Sequence, residues 1–158
     1  MLEEIKAKMS AELERLGHEL HVELPQVIRK AVELGDLREN GEYHSALERQ
    51  QFIQARIGHL TQRMTELSRI DVKAIPVDRV GFGSRLTVQN LDTGDVLTYT
   101  ITAGDYLDLD AGEVSIASPL GRALVGSRVG DEVTVQLPGG ERRFRVLELT
   151  TLPEMLDG

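Results

Sequence analysis

The sequence contains no cysteine and no tryptophan, and only three phenylalanines and three tyrosines. Without cysteine there can be no disulfide and no thiolate-held zinc, which agrees with a reducing compartment. So few aromatic rings leave any core to aliphatic side chains, which the 41% hydrophobic content can supply. No apolar run approaches the ~20 residues of a membrane span, and the start, Met1-Leu2-Glu3-Glu4-Ile5-Lys6, lacks an apolar signal core. The expectation is a soluble, cytoplasmic protein with no membrane contact. Basic charge is also short. With 18 Lys and Arg against 26 Asp and Glu, the net charge is −8. That argues against free-standing binding to nucleic acid, where phosphate neutralisation supplies most of the affinity. The deficit is uneven: residues 1–70 hold 10 basic and 12 acidic groups, residues 71–158 hold 8 and 14. Two units are implied, with the less acidic one nearer any nucleic acid.

No Gly-rich phosphate loop, Ser-His-Asp arrangement or metalloprotease motif occurs. His18 and His21 are three apart but have no accompanying carboxylate or cysteine pattern, so they read as surface histidines. Asp105, Asp108, Asp110, Gly112 and Glu113 suggest a calcium loop, yet Pro119 stands where an EF-hand needs its bidentate acid. That stretch reads as an acidic surface loop.

What is present is heptad periodicity. From Met9 the apolar positions run Leu13, Leu16, Leu20, Leu24, Val27, Ala31 and Leu34, with one stutter between Leu16 and Val27. Pro25 falls in that stutter, where it is expected to kink or break the helix. A second seam runs through Tyr43, Ala46, Gln50, Ile53, Ile57, Leu60, Met64 and Leu67. Two such arms joined by a short turn form an antiparallel helical hairpin. Each arm of roughly 30 residues would be about 45 Å long, so the hairpin is expected to project.

Between the arms lie residues 35–44, Gly-Asp-Leu-Arg-Glu-Asn-Gly-Glu-Tyr-His. Gly35 suits the left-handed residue that ends a helix, and Asn40-Gly41 is a turn dipeptide. Asp36 and Glu39 fit two roles. Asp36-x-x-Glu39 has the spacing of a capping box for the returning helix. The same carboxylates, held away from any core, could bind a hard cation such as Mg²⁺ and leave its other positions to water or a partner's ligands.

Arg49, Arg56 and Arg63 recur every seven residues along the second arm. They are either a flank that pairs with Glu on the first arm, or a basic stripe that contacts RNA or an acidic channel wall. After Pro76 the pattern changes to alternation, with strands at 86–89, 96–101, 114–116, 133–137 and 144–147. Asp92-Thr93-Gly94-Asp95 and Pro138-Gly139-Gly140 are hairpin turns, and a short helix fits 121–125. The expected class is α+β: a coiled-coil hairpin over 1–74 and a small antiparallel sheet domain over 75–158.

The stretch 35–44 closely resembles the tip of the Gre transcript-cleavage factors, Gly-Asp-Leu-(Lys/Ser/Arg)-Glu-Asn-Ala-Glu-Tyr-His, with Gly41 in place of the alanine. Residues 118–126, Ser-Pro-Leu-Gly-Arg-Ala-Leu-Val-Gly, followed by Gly130-Asp131, resemble the second signature of the same family. Val88-Gln89-Asn90-Leu91-Asp92 and Pro138-Gly139-Gly140-Glu141 also match, so the resemblance spans about residues 10 to 149. It implies an FKBP-like C-terminal domain that docks on bacterial RNA polymerase at the mouth of its secondary channel. The hairpin then reaches the active site, where the polymerase hydrolyses the 3′ end of a backtracked transcript.

Carried over by position, Asp36 and Glu39 match the catalytic acids that complete a second Mg²⁺ site shared with polymerase. Ser118 and Pro119 match the loop that helps docking. The expected partners are polymerase and the 3′ end of nascent RNA inside that complex, with the chain itself a monomer and inactive alone. Two further readings share some of these features: a Gre-like channel-binding inhibitor without cleavage activity, and a structural coiled-coil adaptor. A prolyl isomerase would need an aromatic pocket, for which residues 71–158 offer only Phe82, Tyr99, Tyr106 and Phe144.

Overall fold

Residues 1–157 are described by the structure, a computed structural model. The chain divides into two compact units, Met1–Ile70 and Asp71–Gly158. In the first, helix α1 (Leu2–His18) passes into a π-helical turn (Glu19–Glu23) and then into α2 (Leu24–Glu33). The backbone stays in the right-handed helical region through both junctions, at Glu19 and at Leu24. Pro25 therefore neither breaks nor ends the arm. It occupies the first turn of α2, next to the π turn, in which the Leu24 N–H bonds back to Glu19 O.

Counting buried positions explains the turn. On the first arm Met9, Leu16, Leu24 and Ala31 are buried, spaced 7, 8 and 7. On helix α3 (Gly41–Ser68) Ala46, Ile53, Leu60 and Leu67 follow at strict intervals of seven. The first arm thus carries one surplus residue between Leu16 and Leu24, and a π turn is the device that absorbs one residue without losing the helix. Both α1 and α2 pack against α3.

In the second unit, a 3-10 turn (Val72–Ala74) precedes strands β1 (Arg85–Asn90), β2 (Val96–Thr102) and β3 (Glu113–Ser115). Helix α4 (Pro119–Leu124), β4 (Glu132–Leu137), β5 (Gly140–Thr150) and helix α5 (Leu152–Asp157) follow. The five strands form one sheet in the order β3-β2-β1-β5-β4. Three pairs are antiparallel, two of them the hairpins that the turns predict (β1–β2 and β4–β5), but β3 runs parallel to β2. With three residues, β3 is too short for its alternation to reveal direction. The loop before it reverses the chain through positive φ at Gly104, Tyr106 and Gly112. Alternate residues of β1, β4 and β5 (Leu86, Val88, Val133, Val135, Phe144 and Val146) make the core with Val80, Ile101 and Leu124. Phe144 is therefore spent on core packing.

The last residues, unassigned by the periodicity, form α5. Thr151 donates from its N–H and Oγ1 to Glu154 Oε1 at 3.0 and 2.7 Å, and these bonds hold the Glu154 carboxyl below its usual pKa. Leu152 covers Gly83, where a Cβ would lie 2.8 Å from the leucine side chain.

Two glycines separate close packing from open space. A Cβ on Gly121 would sit 2.0 Å from Ser115 O, whereas one on Gly41 would meet nothing within 4 Å. Gly121→Ala is expected to destabilise the second unit by about 3 kcal/mol or more, through forced movement of packed backbone. Gly41→Ala is expected to stabilise the first by about 0.5 kcal/mol, through the unfolded chain's lost freedom. Chemical denaturation of the two variants checks both signs.

Candidate functional site: the acidic tip and the capped loop

The tip is built by two helix ends that face opposite needs. The carbonyls that end α2 need donors, and the N–H groups that begin α3 need acceptors. Leu34 and Gly35 close α2 with N–H bonds to Ala31 O and Val32 O, and Gly35 has φ 81°, the left-handed residue expected there. Asn40 begins α3. Its Oδ1 accepts from the Tyr43 N–H at 3.1 Å, while its Nδ2 donates to Ala31 O at 2.6 Å and to Gly35 O at 3.3 Å.

This arrangement corrects the capping-box expectation. Asn40, not Asp36, caps the returning helix, and Gly41 is its first residue rather than part of a free turn. Glu39 precedes the cap and lies outside the first turn. Asp36 Oδ1 instead accepts the Arg38 N–H at 3.3 Å, and the Glu39 N–H reaches Asp36 O at 3.3 Å, so the loop folds on itself. Asp36 adopts φ 24°, which Asp tolerates better than most residues. His44 Nε2 lies 3.0 Å from Arg38 O and braces the loop from the side.

Leu34, Gly35, Asp36, Glu39 and Asn40 line a shallow hollow of about 190 Å³. Both acidic side chains are exposed. The Glu39 carboxylate makes no hydrogen bond or ion pair with any described residue. Among the described residues no three His, Cys, Asp or Glu side chains gather closely enough to hold a metal ion. The tip therefore fits a cation only as a partial ligand set, with the remaining positions filled from outside. Asn40 and His44 were the residues the sequence reading missed. An Asn directly before a heptad-patterned run is itself an N-cap signal, and it competed with Asp36 for the role.

The arginine stripe takes the pairing arrangement along the hairpin. Arg49 donates from Nε and Nη2 to Glu19 at 2.8–3.1 Å, and Arg56 to Glu12 at 2.9 and 3.2 Å, both across to the first arm. Seven residues separate the two pairs on each arm, so together they mark the antiparallel register. Arg63 pairs with Glu66 on its own helix at 2.9 Å. The Arg49 guanidinium also lies 5.2 Å from the ring centre of Phe52, and its bond to Glu19 raises its pKa. His18 pairs with Glu23 at 3.3 Å on the surface.

In the second unit, Ser118 is half-buried and Pro119 exposed. Ser118 Oγ accepts the Gly121 N–H at 3.0 Å and donates to Ser115 O at 2.7 Å, capping α4, and Pro119 takes the first helical position. Ser118 is thus turned toward its own loop, and the side chain offered to solvent is Pro119. No helix is long and apolar enough to cross a membrane among the described residues.

Exposed or partly exposed pairs of this kind contribute only ~0–1 kcal/mol each. Arg49→Gln with Arg56→Gln is expected to lower hairpin stability slightly, with the difference shrinking at high salt. A loss unchanged by salt in thermal melts would show that packing, not pairing, holds these arms.

Both units match known families. Residues 1–68 match the family described as transcription elongation factor, N-terminal, and residues 75–151 that of transcription elongation factor, GreA/GreB, C-terminal. Transcription elongation factor GreA of Halorhodospira halophila is 39% identical over 143 residues, 90% of each chain. GreA of Sulfurovum sp. is 40% identical over 149 residues, 94% of this chain and 92% of that one. The solved structure of GreA factor homolog 1 (Gfh1) of Thermus thermophilus is 28% identical, covering 91% of this chain and 93% of that one, at a TM-score of 0.42. With two family matches in order and relatives this similar over nine-tenths of its length, the chain belongs to the GreA/GreB family of transcription elongation factors.

Proposed function

We propose that this elongation factor binds bacterial RNA polymerase and carries its acidic tip to the polymerase active centre. There it stimulates hydrolytic cleavage of the 3′ end of backtracked nascent RNA. The observation that supports this best is the exposure of the two carboxylates. Asp36 and Glu39 are exposed, neither caps a helix, and Asn40 does the structural work that would otherwise account for them.

Asp36 and Glu39 would hold a Mg²⁺ ion jointly with polymerase ligands. That ion, when bound, stabilises the developing charge of phosphodiester hydrolysis and lowers the pKa of a bound water. The chain's own part is to bring two hard oxygen ligands on a braced loop, where Asp36 and Glu39 together would complete the ion's site and orient the attacking water. Two carboxylates without a third ligand hold a cation weakly, so the chain alone has no hydrolytic activity on this account. Docking falls to the α4 loop, with Pro119 making the contact and Ser118 shaping it. Arg49, Arg56 and Arg63 serve RNA or the channel wall only if their pairs with Glu19, Glu12 and Glu66 open.

The decisive experiment adds the protein to backtracked elongation complexes with labelled RNA and Mg²⁺. Asp36→Asn removes the charge, and Asn tolerates the same backbone conformation. It is expected to stay folded, within about 0.5 kcal/mol of wild type, and to compete with it for polymerase. It should lose most cleavage, which raised Mg²⁺ partly restores; Glu39→Gln should behave likewise. Cleavage by Asp36→Asn at the wild-type rate would defeat the catalytic assignment.

A second variant tests docking. Pro119→Glu changes the exposed surface with a residue that the first turn of a helix accepts. Weaker polymerase binding with an unchanged melting curve is expected; unchanged affinity in a titration would remove the α4 loop from the interface.

A further inference from the structure

We infer that Asn40 is a positioning residue for the cleavage chemistry: its side-chain amide clasps the two ends of the tip loop and thereby holds Asp36 and Glu39 in place. The inference rests on the proposed role of those two carboxylates and adds what sets their geometry. Residues 35–39 span from the end of α2 to the cap of α3, and the loop has few bonds of its own. Within it are the Arg38 N–H to Asp36 Oδ1 and the Glu39 N–H to Asp36 O, both 3.3 Å. Across its base the Asn40 amide makes a 2.6 Å bond to Ala31 O and a 3.3 Å bond to Gly35 O, while its carbonyl accepts from Tyr43 N at 3.1 Å.

The chemistry of the position singles out this side chain. The α2 end presents carbonyls and the α3 end presents N–H groups, so one group spanning both must donate and accept. Asn and Gln carry both functions on one planar amide, and of the two only Asn is a good N-cap. Ser and Asp cap equally well. Asp cannot donate to the α2 carbonyls and would set a charge against them; the Ser hydroxyl ends one atom short of the amide nitrogen. Both replacements therefore separate the cap from the clasp.

Asn40→Ser and Asn40→Asp, made in the full chain, are compared with wild type and Asp36→Asn on backtracked polymerase complexes. Four quantities are read: cleavage rate, the Mg²⁺ concentration for half-maximal rate, competition with wild type for polymerase, and helix melting by circular dichroism. Both Asn40 variants are expected to compete like wild type and to melt within a few degrees of it, since only the amide's two bonds to the α2 end are lost. Their cleavage should fall about ten- to a hundredfold, the scale of misplacing a reacting group by about 1 Å. The Mg²⁺ midpoint should rise, and Asp should be worse than Ser. A merely structural role would not move the Mg²⁺ midpoint.

Wild-type rate and midpoint in Asn40→Ser, with Asp36→Asn inactive, would overturn the clasp and leave the carboxylates standing. Early melting or lost competition in both Asn40 variants would also overturn it, by making Asn40 a residue of hairpin stability. Wild-type cleavage by Asp36→Asn would sink the carboxylate reading itself, and this inference with it.

Discussion

One surplus residue in the first arm decides where the tip falls. A helix turns by about 100° per residue, so an extra residue between Leu16 and Leu24, left uncorrected, would rotate everything beyond it away from α3. Ala31 would leave the seam, and its carbonyl would leave Asn40. The π turn at Glu19–Glu23 takes up that residue and returns Leu24 and Ala31 to the buried face. It also precedes Pro25, whose ring would crowd the carbonyl four residues back in a tight α-helix. The wider turn relieves a clash and a phase error at once.

The tip inherits this register, and within it structural and chemical duties are divided. A neutral amide satisfies both helix ends, since a charge there would suit one terminus and oppose the other. The carboxylates are thereby left out of the capping network. If Asp36 capped α3, its oxygens would be committed to backbone N–H groups and less available to a cation. The exposure of Asp36 and Glu39 is thus a consequence of what Asn40 does, and the same holds for the loop's self-bonding through Asp36 Oδ1.

The hairpin was legible because its signal is repeated: four buried seam positions per arm, at intervals of seven with the one exception of eight between Leu16 and Leu24, outweigh any single misleading residue. The position of the stutter was legible too, but not its outcome. Pro25 in isolation reads as a kink or a break, and only the phase of Leu24 and Ala31 shows that the helix continues. The capping-box alternative would start α3 four residues early, because Asp36 and Asn40 are both good caps and spacing cannot rank them. The sheet's alternation gave its strands, while the direction of β3 depends on a loop with three positive-φ residues that leave no periodic trace. The arginine stripe was readable as a stripe. Its partners Glu19 and Glu12 lie 30 and 44 residues away on the other arm, where only the register could place them.

The two signatures share a logic that bears on how such motifs are read. In each, part of the pattern shapes backbone and part is left over for contact. Gly35 and Asn40 shape the tip, Asp36 lends one carboxylate oxygen to the loop's own backbone, and Glu39 is left over. Ser118 caps α4 and Gly121 admits the close approach of Ser115 O, while Pro119 opens the helix and still keeps its ring exposed. A motif match assigns all of these residues to function alike, yet the hydrogen bonds separate them. The residues whose side chains are already consumed by the fold set the geometry. Those whose side chains the fold leaves free are the ones available to a partner.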